Sequence, residues 1–140
     1  PVAGLVLLDP AVVHDDVLEG LPEVKVPVAL LGADPKVFRS RKRDAFFHKV
    51  TGEKLSVSIV GATHDDLQHP SMYSIYAYAT DPFTDTGKQV YAQSLIVLSV
   101  YSMTAGNGLH YAVANLKRDL SKGRVKDLRH RPAPLSQFAH

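Results

Sequence analysis

The chain has 140 residues, with 16 basic against 14 acidic side chains, seven histidines and neither cysteine nor tryptophan. At about 100–200 residues per domain this is one domain or part of one, and an apolar share of 45% excludes a disordered or fibrous chain. A formal charge of +2 is too small to make nucleic acid or an anionic membrane the main partner, and the lack of cysteine excludes disulfide frameworks, zinc ribbons, iron–sulfur clusters and cysteine nucleophiles while leaving the compartment open.

The first residues lack the basic-then-apolar pattern of a targeting segment. Gly4-Leu5-Val6-Leu7-Leu8 is a short continuous apolar run stopped by Asp9-Pro10, the pattern of a strand buried on both faces of a parallel sheet. Residues 11–23, with Gly20 and Pro22, read as loop with room for one helical turn. Val26-Pro27-Val28-Ala29-Leu30-Leu31 is a second buried run, closed by Gly32-Ala33-Asp34-Pro35; Pro27 stands near its start, where a missing ladder donor is tolerated.

From Lys36 to Val50, apolar residues at three- and four-residue spacing predict an amphipathic helix with a basic outer face, ending near Gly52. Residues 54–60 alternate, Leu55, Val57 and Ile59 against Ser56 and Ser58, so a third strand is expected nearer an edge, with one polar face. A loop covers 62–70, and a short helix is expected at 71–79. Thr84, Asp85 and Thr86 are candidate caps for the helix that follows. Residues 88–103 are apolar nearly all round and predict a helix packed on the sheet. The apolar stretch 89–103 falls short of the ~20 residues a membrane span needs, so a soluble chain is expected. A final amphipathic helix is expected at about 109–121, and a basic, loosely ordered tail from Lys122. Strands alternating with helices make the fold α/β with parallel pairing. Only three strands are expected, and the two apolar on both faces call for further neighbours.

Two residues stand just past strand C-termini, where open α/β sheets bind ligands. Asp9 follows the first strand, and His64 follows the third in Gly61-Ala62-Thr63-His64. An acid and then a histidine in this order match the last two members of a Ser…Asp…His series. In such a triad the carboxylate fixes the imidazole tautomer, and the histidine takes the serine proton. Taken singly, Asp9 also fits a turn before proline, and His64 a loop histidine packed under a helix.

The segments Gly4-Leu5-Val6-Leu7-Leu8-Asp9-Pro10, Val26-Pro27-Val28-Ala29-Leu30-Leu31-Gly32-Ala33 and Ile59-Val60-Gly61-Ala62-Thr63-His64 resemble the last strands of an α/β-hydrolase, over roughly residues 3–103. More narrowly they are similar to the chlorophyllase and cutinase-like esterase branch. The resemblance implies the C-terminal portion of an α/β-hydrolase fold over 1–121, a mostly parallel sheet with flanking helices, followed by the basic tail at 122–140. It implies carboxylic-ester hydrolysis without a cofactor. Asp9 then matches the triad acid in its Leu-Asp-Pro context, and His64 the base. Members with the acid one strand later place it nearest Asp34, the alternative catalytic acid, although the cutinase pattern has it two residues further on, at Lys36. No Gly-x-Ser-x-Gly elbow is present, so the nucleophile is expected from a missing N-terminal half, in the same or a second chain. A non-catalytic α/β interaction module, or a remnant that assembles with a partner, is the competing expectation.

Other clusters carry less. His14-Asp15-Asp16, His64-Asp65-Asp66 and His69 have no metal-ligand spacing, so no metal is expected. The run Arg39-Ser40-Arg41-Lys42-Arg43 reads as a solvated helix face rather than a nucleic-acid site. Tyr73, Tyr76 and Tyr78 fit helix packing or the wall of an acyl pocket. Pro1 suggests a tautomerase base only if alternating strands follow, and they do not.

Overall fold

Both early apolar runs are strands: β1 (Leu5–Leu8) and β2 (Val28–Gly32) pair in parallel, Leu5 opposite Val28 and Leu8 opposite Leu31. A computed structural model describes residues 1–10, 16–36, 43–68 and 86–134. Between the strands lie a helical turn, α1 (Asp16–Glu19), and a 3-10 turn at Leu21–Glu23. Helix α2 (Arg43–Lys49) leads to β3 (Lys54–Ile59), which continues the parallel pairing on β2. Then follow α3 (His64–Leu67), α4 (Thr86–Thr104), α5 (His110–Ser121) and β4 (Val125–Arg131). The sheet order is β1-β2-β3-β4, with β4 antiparallel to β3. This is an α/β architecture, a mixed and mostly parallel sheet flanked by helices.

The period of two in β2 divides the core. Ala29 and Leu31 join Leu55, Val57 and Ile59 under α4 and α5, against Leu95, Ala112 and Leu116. Val28 and Leu30 face the other way and pack with Leu21, Phe46 and Val50. Each face of the sheet thus has its own hydrophobic layer.

Several expectations are corrected. β3 is not near an edge; it lies between β2 and β4 and is buried along its whole length. Its polar face meets α2 instead of water. Ser58 accepts a hydrogen bond from Arg43, and the Lys54 ammonium donates to the carbonyls of Phe47 and Val50 at the end of α2, where a cation complements the helix dipole. β1, expected to be buried on both faces, is an edge strand and half-buried. Within the tail expected to be loose, Val125–Arg131 forms the fourth strand. Its charges are those of a sheet edge, where lysine and arginine deter further pairing. One side of α4 packs on the sheet as expected, but Val90, Val97, Val100 and Tyr101 are exposed on the other. Among the described residues no helix is long and apolar enough to cross a membrane. The expected helix at 71–79, the tyrosines within it, His14, Asp15, His69 and residues 37–42 of the expected basic helix lie outside the described residues.

Candidate active site

Asp9 follows β1 directly, and its φ of +41° places it in the left-handed region. Aspartate enters that region more readily than most residues, but at a cost of about 1–2 kcal/mol for an L-residue. Its surroundings hold it there. The backbone N–H donates to the Leu31 carbonyl at 2.7 Å, and Oδ1 accepts from the Ala33 N–H at 3.2 Å. The side chain is turned inward and only 1% exposed.

His64 opens α3, and the four-residue helix is fixed by a capping box. Thr63 Oγ1 accepts from the Asp66 N–H, and Asp66 Oδ2 accepts from the Thr63 N–H. The approach is fixed as well. Gly61 turns the chain at φ +72°, donating its N–H to Asp34 Oδ2 at 2.7 Å, while the Asp34 N–H donates to the Ala62 carbonyl at 2.8 Å. These bonds bring His64 Nδ1 to 2.8 Å from Asp9 Oδ2, across 55 positions of sequence.

A carboxylate only accepts, so in the neutral ring Nδ1 carries the proton and donates to Asp9, leaving Nε2 as the acceptor. Nε2 lies 2.7 Å from the Gln68 side-chain nitrogen, which donates to it. The bond to Asp9 raises the His64 pKa above its ordinary value. Burial opposes the rise, and the charges of Asp9 and Asp65 add to it. The ring is about one-third exposed, so its outer nitrogen can be reached.

Asp34 turns to other partners. Its carboxylate pairs with Lys126 on β4 and accepts from the Gly61 and Lys36 amides. Burial pushes its pKa up, but Lys126 and the two amides outweigh that and hold it below the ordinary carboxylate value. Between the two candidate acids, the one bonded to the His64 ring is Asp9.

Arg43 is corrected from a solvated-face residue to a buried one. Its Nη1 lies 3.8 Å from Asp9 Oδ1 and donates to the Ala33 carbonyl at 3.2 Å, while Nη2 donates to Ser58 Oγ at 2.5 Å. Room for it is made by Gly32, where a Cβ would stand 1.2 Å from Nη1. A glycine inside a buried strand marks such a close approach, and Gly32 is the last residue of β2.

Among the described residues no group of three or more His, Asp or Glu could hold a metal ion. What the site offers is a carboxylate, an imidazole of fixed tautomer and a nitrogen lone pair able to take a proton. Ser99 and Ser102 spend their hydroxyl protons on the carbonyls of Leu95 and Gly108. No family model, no curated protein and no solved structure matches the chain.

Proposed function

We propose that the chain supplies the acid and the base of a serine-type carboxylic-ester hydrolase of α/β-hydrolase architecture, with Asp9 orienting His64. The observation that carries this reading is the 2.8 Å bond from His64 Nδ1 to Asp9 Oδ2 at the C-terminal ends of two parallel strands. The esterase resemblance of these strands supports the choice of substrate class, a small-molecule ester.

The nucleophilic serine comes from outside these 140 residues, in the same chain or a second one. Its hydroxyl meets His64 Nε2 in place of Gln68. His64 takes the proton as the serine attacks the ester carbonyl, and Asp9 stabilises the imidazolium. The proton passes to the departing alcohol, and water then releases the acid from the acyl-serine. No cofactor enters the reaction. The complementary part joins at β1, whose only partner among the described strands is β2.

Turnover of a p-nitrophenyl ester by the complete assembly is the test. His64→Ala is expected to lower kcat by about 10⁴-fold or more, and retained activity in that variant refutes the role of His64. The second reading, a non-catalytic interaction module, is favoured by the exposed Val97, Val100 and Tyr101 on α4. Binding of a partner unaffected by His64→Ala, without ester turnover, would support it.

A further inference from the structure

A buried guanidinium beside the acid of an acid–base pair does more than fill space. Arg43 reaches Asp9 from α2, on the side of the carboxylate opposite His64: Nη1 faces Oδ1, and the imidazole holds Oδ2. Its other bonds, to the Ala33 carbonyl and Ser58 Oγ, tie the head group to the ends of β2 and β3. Its Nε is buried with no partner among the described residues. Leaving a polar atom buried without a partner is costly, so the position is held by the other contacts of the head group.

We propose that Arg43 sets the basicity of His64, acting through the carboxylate of Asp9 as a positioning and charge-balancing residue. The proposal rests on the reading of Asp9 and His64 as acid and base. The physical argument concerns sign. Asp9 alone stabilises the imidazolium and makes His64 a stronger base; a fixed positive charge on the far side of the same carboxylate offsets part of that field. Arg43 thereby keeps His64 from holding its proton too tightly at neutral pH, and its bonds to the strand ends keep Asp9 in its left-handed conformation.

The other charges near the pair are few. Asp65 follows His64 on α3 and strengthens its proton binding. Asp44 on α2, with Asp127 and Arg129 on β4, surrounds Arg43 along a cavity of about 480 Å³. Arg129 and Asp44 are paired at 2.5 Å and largely cancel. That leaves Asp9 and Asp127 acting on Arg43, and of the two Asp9 has the larger effect.

The test follows the His64 ring by NMR across pH in the full chain, with no need for the nucleophile. Asp9→Asn is the control for the underlying reading. It must bring the His64 titration down toward its ordinary value, and failure to do so breaks the Asp9 and His64 pairing whatever Arg43 does. Arg43→Met is expected to raise the titration midpoint by about 0.5–1 pH unit. Arg43→Lys, which keeps the charge, is expected to stay nearer the native midpoint. Gly32→Ala forces the guanidinium out without changing α2, and should shift the midpoint upward like Arg43→Met; it decides the matter if Arg43→Met does not fold. An unchanged midpoint in the charge-removing or displacing variant overturns the proposal. So does a fall toward the Asp9→Asn value, which means that Arg43 only supports the fold.

Discussion

Two buried carboxylates stand at the ends of neighbouring strands, 25 positions apart, and they are spent differently. Asp34 is surrounded by fixed donors: the Lys126 ammonium and the amides of Gly61 and Lys36. Held by three donors from three parts of the chain, Asp34 behaves as a clamp. Asp9 shares its oxygens between Arg43 and a histidine whose ring is partly exposed and whose pKa is raised by that bond. The same side chain at equivalent places thus meets fixed donors in one case and a titratable ring in the other. Which role it takes is set by whether its partner can exchange a proton. The clamp also serves the pairing of Asp9 with His64, because it holds the turn that leads into His64.

The sharpest way to break the comparison is to remove the clamp. Asp34→Ala leaves Lys126 and the Gly61 amide without their acceptor, and it is expected to destabilise the chain by about 2–4 kcal/mol, read from urea unfolding. The turn at Gly61 should loosen with it, so the NMR signature of the His64 pairing should weaken in the same variant. A loss below about 1 kcal/mol would mean that the turn is held by packing and that Asp34 is dispensable.

The two carboxylates also predict opposite pH behaviour. His64 has a raised pKa in the folded chain. Its pairing therefore contributes stability fully below the unfolded value of about 6.5, and that contribution is lost as pH rises through the folded value. The stability difference between native protein and His64→Gln should accordingly be larger at about pH 5.5 than at about pH 8.5. Asp34 has a lowered pKa, so its contribution is present above the unfolded carboxylate value of about 3.9 and vanishes as pH falls through the folded one. If the His64→Gln difference grows toward alkaline pH instead, the ring is not held as a proton donor to Asp9. Under the proposed esterase reading, the same raised pKa would place the rise of activity on the alkaline side of the ordinary histidine value, since the base must be neutral to accept.

Strand ends and their punctuation made half of this site legible. Asp9 before Pro10 and His64 after Gly61-Ala62-Thr63 stand where apolar runs stop, and the chain order of acid and histidine is visible without coordinates. Arg43 was not legible as a buried residue. In helical periodicity an arginine beside Lys42 and Arg41 falls on the outer face, and only the shape of the packed strand, with Gly32 lacking a side chain, reveals the space beneath it. β3 misleads for a related reason. Its serines alternate as they would against water, yet both are buried, and Ser58 accepts from the guanidinium that α2 brings. β4 hides because Lys126, Asp127, Arg129, His130 and Arg131 swamp the period of two, and Asp127, at φ +54°, stands where the register with β3 shifts between Ser56 and Ser58.

The smallest expected effect tests the local end of the comparison. Thr63 accepts from the Asp66 N–H at 3.3 Å, and Asp66 returns the bond to the Thr63 N–H at 2.9 Å. Together they fix the first turn of a helix too short to form alone, since helices below about 12–15 residues are marginal in isolation. Thr63→Ala removes one of the two bonds and is expected to cost about 1 kcal/mol. Thr63→Ser keeps the oxygen and should restore most of it. Because Asp34 still grips Gly61 from the other side, the His64 ring should keep its raised titration in both variants. Loss of that titration on Thr63→Ala alone would move the positioning of His64 from the clamp to the cap, and the two carboxylates would then be less unlike than their partners make them.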